Sequence, residues 1–178
     1  MHDMKQLEQA LGYHFQNPAL LETALTHTSY ANEARRGTKH NERLEFLGDS
    51  VLSIVVADYL FTHNDLPEGE LTRMRASLVC ESALFGFAQK IRLGDYLRLG
   101  HGEELGGGRH RPSVVSDAFE AVIAALYLDG GIEPARRFIL PFVTQALTCK
   151  NTEDDYKTKL QEIIQQNPEE RLSYVVTD

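Results

Sequence analysis

Glu42, Glu45 and Asp49 stand at positions i, i+3 and i+7 of the run His40-Asn41-Glu42-Arg43-Leu44-Glu45-Phe46-Leu47-Gly48-Asp49-Ser50. On a helix that turns about 100° per residue they fall within roughly 60° of one another. Leu44, Leu47, Val51, Leu52 and Val55 add an apolar stripe that commits the same helix to a core. Two carboxylates about 4 Å apart repel by roughly 4 kcal/mol at an effective dielectric near 20. An acidic strip on a buried helix therefore needs compensation, and a divalent cation is the commonest source of it.

Asp117 and Glu120 repeat the pattern at i, i+3, among Val114, Val115, Phe119, Val122, Ile123 and Leu126, the most apolar helical stretch in the chain. Two such helices side by side would gather Glu45, Asp49, Asp117 and Glu120 around one pocket. That donor set is all oxygen, with no Cys or His, and suits Mg²⁺ or Mn²⁺ rather than zinc. Magnesium held this way keeps several waters, as a hydrolase requires. The structural alternative is ordinary: a helical acid is more often solvated or paired, as Glu42 would be with Arg43. Spacing alone leaves both readings open.

The elements that would carry these acids read as nearly all helix. Asp3 caps a short helix ending before Gly12, and Asn17-Pro18 opens a second, to about Leu25. Residues 30–39 are polar and read as a loop. A long helix runs from about His40 to His63 and stops at Leu66-Pro67. Further helices are predicted over about 69–79 and 82–91. Gly100, Gly102 and Gly106-Gly107-Gly108 make residues 94–112 read as a long exposed loop. Pro112 opens the apolar helix to Leu128, and Pro134 opens another to about Leu147. Residues 149–154 lack large apolar side chains and read as a linker. Beyond it come a short amphipathic helix and a strand at Ser173-Tyr174-Val175-Val176. The expected division is 1–148, a linker at 149–154, and 155–178 as the start of a second domain that this chain does not complete.

Composition restricts the classes further. The chain has 178 residues, 42% hydrophobic, with no Trp, enough for one good core. No stretch reaches the ~18 uninterrupted apolar residues of a membrane helix, so no membrane partner is expected. The N-terminus lacks the basic start and apolar run of a secretory signal. Cys80 and Cys149 have no zinc spacing and read as reduced thiols of a cytoplasmic protein. The net charge of −8 argues against nucleic acid unless acids are gathered at a metal site. Basic residues cluster elsewhere, at Arg35-Arg36 with Lys39-His40, at Arg73 with Arg75, and at Arg109-His110-Arg111.

The run at 40–50 resembles the signature of ribonuclease III. Leu25-Thr26-His27-Thr28-Ser29 is similar to the segment that precedes it in bacterial members. Pro67-Glu68-Gly69-Glu70-Leu71-Thr72-Arg73-Met74-Arg75 and Ser116-Asp117-Ala118-Phe119-Glu120-Ala121 resemble later segments of the same family. Tyr156-Lys157-Thr158-Lys159-Leu160-Gln161-Glu162 resembles the opening of its double-stranded-RNA-binding domain. These matches lie in order along essentially the whole chain. Ser116 and Ala124 stand where Ala and Gly are expected.

The resemblance implies an all-α endonuclease domain followed by the first helix and strand of an incomplete α/β RNA-binding domain. It implies a homodimer that hydrolyses double-stranded RNA with Mg²⁺, leaving 5′-phosphate and 3′-hydroxyl ends with a two-nucleotide 3′ overhang, in processing of ribosomal precursors and other structured RNAs. Residue by residue, it makes Glu45, Asp117 and Glu120 the metal ligands and Asp49 and Glu120 the acids most tied to catalysis, with Glu42 and Glu68 supporting. Phe46 matches an aromatic that enters a cavity of the other subunit, core packing being the alternative. The Gly106–Arg111 loop would face RNA, with Arg109 and Arg111 as phosphate contacts, a solvated surface role being the alternative for either, and Gln161 is a further RNA contact. Three rival classes fit the sequence less well. A non-catalytic relative should have lost acids, and all six are present. A His-Asp phosphohydrolase needs core His-Asp pairs, and the only such dipeptide is His2-Asp3. A purely structural helical protein leaves the excess of inward acids unexplained.

Overall fold

A computed structural model describes residues 4–34 and 37–165, the side chains of 149–165 excepted. The described residues form nine α-helices and no strand: α1 (Met4–Leu11), α2 (Pro18–Ala24), α3 (Thr28–Glu33), α4 (Glu42–His63), α5 (Glu68–Leu78), α6 (Glu81–Lys90), α7 (His101–Leu105), α8 (Pro112–Gly130) and α9 (Ile132–Gln165). The all-α expectation for the first domain therefore holds. The chain divides into two compact units, Met1–Val143 and Thr144–Asp178. The backbone at 149–154, expected as a linker, is helical within α9, and the strand expected at 173–176 lies outside the described residues.

Local chemistry explains the starts of the elements. Asn17 caps α2, its side chain accepting from the Ala19 amide at 3.3 Å, with Pro18 in the first helical position. Pro112 opens α8 in the same way. α8 is apolar because α2, α4 and α6 pack around it, and residues 121–126 are all buried. Behind it, Phe87 of α6, Phe119 of α8 and Phe138 and Phe142 of α9 form an aromatic nest with ring centroids 5.2 to 6.1 Å apart. Buried Ser116 satisfies its hydroxyl on the Ser113 carbonyl at 3.0 Å, and Ala124 is fully enclosed, so neither departure from the family pattern disturbs the packing.

The closest approach in the core is between α4 and α8. A Cβ added at Gly48 would collide with the backbone carbonyl of Glu120. A glycine inside a helix costs about 1 kcal/mol relative to alanine, and here it lets two main chains touch.

Two segments differ from expectation. Residues 30–33 belong to α3, capped by the ring of His27, whose Nδ1 accepts from the Ser29 amide. α3 buries no residue fully, so it carries no apolar periodicity to read. Residues 94–112 are folded rather than a long exposed loop, with 3₁₀ turns at Leu93–Tyr96 and Gly108–His110 flanking α7. Leu97, Leu99 and Gly108 are buried there. Arg109 holds the segment together: its Nη1 donates to the carbonyls of Gly94 (3.1 Å), Asp95 (3.3 Å) and Leu97 (2.7 Å). One guanidinium thus ties together three carbonyls of irregular backbone, that of Gly94 also accepting from the Leu97 amide.

The start of the chain is tied to the far end of α8. Asp129 accepts from the Tyr13 hydroxyl (3.0 Å) and from the amides of Gln16 (2.7 Å) and Asn17 (2.9 Å).

Gly48→Ala tests the α4–α8 contact. Overpacking against a main-chain carbonyl cannot be relieved by rotating a side chain, so the loss should reach about 3 kcal/mol. Calorimetry should show Tm falling by roughly 6–12 °C, and an unchanged Tm would disprove the contact.

Candidate metal centre

The position of α4 is set at its first turn. Asn41 is buried; its amide donates to the Thr26 carbonyl at 2.9 Å, and its own carbonyl accepts from the amides of Leu44 and Glu45. Thr26 is itself held by its hydroxyl on the Glu22 carbonyl at 2.6 Å and by a bridge to Arg98. The Thr26 strap therefore fixes the turn that carries Glu42 and Glu45. The Gly48 contact then fixes that helix against Glu120.

This framework brings Glu45, Asp117 and Glu120 together. One carboxylate oxygen from each lies within 4.8 Å of the others, and all three side chains are partly buried. Burial pushes the Glu120 carboxyl up to about 8, and the charges of Asp49, Glu45 and Asp117 add to the effect. Glu45 is raised by burial, then by Asp117 and Glu42. Asp117 is raised by burial and by Glu81, with His27 opposing. Every charge perturbing Glu45 and Glu120 is another acid. Without a cation the cluster relieves its repulsion by keeping a proton near neutral pH. The oxygen-only donor set, the short separations and the missing positive charge fit a hard divalent cation.

The other expected residues separate. Asp49 is exposed, close enough to Glu120 to be its foremost charged neighbour, but outside the three-oxygen cluster. Glu42 is exposed beside Glu45, with His40 Nδ1 3.7 Å from its carboxylate. Glu68 is not brought to the cluster. It accepts from the Thr72 hydroxyl at 2.8 Å and lines a groove with Ile54, Ala57 and Phe61. Phe46 is 79% exposed and does not pack in the core of this chain. Arg109 is engaged by the three carbonyls and by Glu104 at 2.6 Å. Arg111 is paired with Glu103 at 2.5 Å and donates to the Gly106 carbonyl. The Gln161 side chain lies outside the described residues.

Gly48, Glu81 and His27 were not singled out by sequence as parts of the site. A glycine in mid-helix between two acids was the available signal for Gly48. Nothing in the local pattern of Glu81 tied it to Asp117.

The family model described as ribonuclease-III-like matches residues 17–147. Ribonuclease 3 of Clostridium tetani is 48% identical over 178 residues, spanning 98% of this chain and 75% of its own length. Ribonuclease 3 of Oceanobacillus iheyensis is 46% identical over 180 residues, spanning 99% and 79%. Among solved structures, a nuclease domain of ribonuclease III from Campylobacter jejuni, described for flexibility in a region involved in dimer formation, superposes with a TM-score of 0.74. It is 41% identical and covers 80% of this chain and 97% of its own. Dicer from Pichia stipitis superposes with a TM-score of 0.58 at 26% identity, covering 78% of this chain and 60% of its own.

The proton on Glu120 gives a pH prediction. Its folded pKa is raised, so its contribution to stability is complete below about 4.5 and is lost as pH rises through about 8. In metal-free protein, Glu120→Gln should raise Tm by a few degrees at pH 8.5 and leave it near the parent value at pH 4.5. A divalent cation must displace the same proton. Its affinity by calorimetry should climb roughly tenfold per pH unit from 6 to 8 and then level off. A pH-independent affinity would contradict the shared-proton description.

Proposed function

The chain belongs to the ribonuclease III family of double-stranded-RNA endoribonucleases, and on that premise we propose that it cuts duplex RNA with Mg²⁺ held by Glu45, Asp117 and Glu120, Mn²⁺ serving as a substitute. The observation that carries this reading is the three-carboxylate cluster, in which the only charges perturbing Glu45 and Glu120 are those of other acids, on helices bearing the family's motifs. Held by Glu45, Asp117 and Glu120, the metal would neutralise charge on the scissile phosphate and make water a better nucleophile. A water oxygen bonds to phosphorus in line as the P–O3′ bond breaks, and the leaving 3′-oxygen takes a proton from solvent, giving 5′-phosphate and 3′-hydroxyl ends. Asp49, exposed and a charged neighbour of Glu120, orients the attacking water and accepts its proton. Glu42 adds negative charge beside Glu45 and so strengthens cation binding. Substrate choice follows A-form shape and 2′-hydroxyl contacts more than sequence.

The second element of the proposal is a homodimer. Phe46, Ile54 and Phe61 are 79%, 60% and 75% exposed, and helical geometry puts them on one face of α4. Beside them lies a groove of about 370 Å³ lined by Ile54, Ala57, Phe61, Leu71 and Arg75, with Glu68 on its wall. A two-fold axis presents the same patch twice, so Phe46 of the partner subunit would fill this groove. The same docking would set Glu68 beside acids of the partner, which accounts for its distance from the cluster within one chain. Two sites in one dimer would cut both strands with the two-nucleotide stagger. Residues 155–178 are assigned to the start of the RNA-binding domain on the resemblance. A cytoplasmic location and processing of ribosomal precursors and other structured RNAs complete the proposal.

Digestion of a perfect RNA duplex, with the ends mapped, tests the activity. Glu120→Gln should keep its fold and its RNA binding and lose at least about a hundredfold in cleavage rate. Cleavage at the parent rate would remove Glu120 from the site. For the dimer, Phe46→Glu should give a monomer by light scattering at micromolar concentration and cut poorly. A Phe46→Glu protein that stays dimeric would refute the packing assigned to Phe46.

A further inference from the structure

The two arginines that best resembled RNA contacts are occupied, Arg109 by carbonyls and Glu104, Arg111 by Glu103. A protein of net charge −8 must still meet a polyanion somewhere on this domain. A concavity of about 470 Å³ between α2 and the entry to α4 has the necessary character. Lys39, His40 and Arg43 all line it, over an apolar floor of Leu44 and Leu128, and no carboxylate lines it. Among the described residues, Lys39 and Arg43 enter no ion pair or hydrogen bond. His40 Nδ1 is buried without a hydrogen-bond partner, Glu42 standing off at 3.7 Å. The sequence places Arg35 and Arg36 just upstream.

We propose that Lys39, Arg43 and His40 form a phosphate-binding cradle that grips one backbone of the RNA duplex at the entry to α4. This rests on the reading that duplex RNA is the substrate. Arg43 and Glu45 project from different sides of the first turn of α4, about 200° apart on an ideal helix. A duplex straddling that helix end with its wide, shallow minor groove presents one backbone to the cradle and the other to the acids. The cradle thus registers the scissile strand through the strand opposite. Lys39 and Arg43, with no acid paired to either, are what backbone recognition needs, since phosphate contacts supply position and salt-dependent affinity rather than sequence.

The test is binding of a perfect RNA duplex as a function of salt, in a Glu120→Gln background so that no cleavage intervenes. Lys39→Gln with Arg43→Gln should reduce the slope of log affinity against log salt by about 0.7–0.9 for each cation removed. Affinity near 0.15 M salt should fall about tenfold or more, with Tm and oligomeric state unchanged. Each single variant should show about half the change in slope. An unchanged slope and affinity would overturn the cradle. So would dissociation of a dimer by Arg43→Gln with RNA affinity lost only in step with it, because Arg43 would then belong to the subunit contact. If the Glu120→Gln parent itself fails to bind and the unsubstituted chain fails to cut, the assigned substrate is wrong and the cradle falls with it. If both succeed while the cation variants match them, only the cradle is refuted.

Discussion

The backbones of α4 and α8 meet at Gly48 and Glu120, and the geometry of the acids follows from that contact. Three carboxylates on two helices can share one ion only if their Cα atoms are brought unusually near. Side chains larger than a hydrogen at the crossing would hold the helices apart by the thickness of a methyl group, and the oxygens would no longer converge. The strap through Thr26 and Asn41 does the complementary work of stopping α4 from sliding along its axis. One contact sets the separation of the two helices, and the other sets their register.

Holding the acids there opposes folding. Burial and mutual repulsion keep Glu120 protonated to about pH 8, so the site stores an electrostatic demand that a cation answers. The rest of the domain offsets this with apolar burial directly behind the site. Phe119, next to Glu120 in sequence, is 1% exposed and stacks into the nest with Phe87, Phe138 and Phe142. Wet acid on one side of α8 and dry aromatic on the other give the helix a single acceptable orientation.

Much of this was legible in the sequence, for identifiable reasons. The acids repeat at helical spacing within apolar stripes, and such periodicity survives without any knowledge of tertiary structure. Asn17-Pro18 and Pro112 announce helix starts by local chemistry alone. The shortfalls have equally physical causes. α3 lies on the surface and leaves no apolar pattern. Arg109 follows three glycines and looks like a solvent-facing cation, yet its guanidinium is drawn inward by carbonyls up to fifteen residues away in sequence. Glu68 belongs to a motif resembling the family's, but that motif carries no signal of where its carboxylate lies, and within this chain it stands outside the three-oxygen cluster. The net charge also misleads as an average, since the acids gather in one cluster while the concavity at Lys39 and Arg43 is lined by no carboxylate.

The clasp at Asp129 bears on how the molecule comes into being. Tyr13, Gln16 and Asn17 lie 112 to 116 residues from the acid they bind, a separation of the kind that slows folding because a long loop must close first. On a ribosome, Tyr13 and the amides of Gln16 and Asn17 have no Asp129 to bind until the end of α8 has been made. That clasp must wait while more than a hundred further residues are added, although α1 also meets the 3₁₀ turn at Leu93–Tyr96, which is made sooner. The newborn chain is therefore most vulnerable to aggregation and proteolysis in that interval, and a domain so closed folds as a whole or not at all.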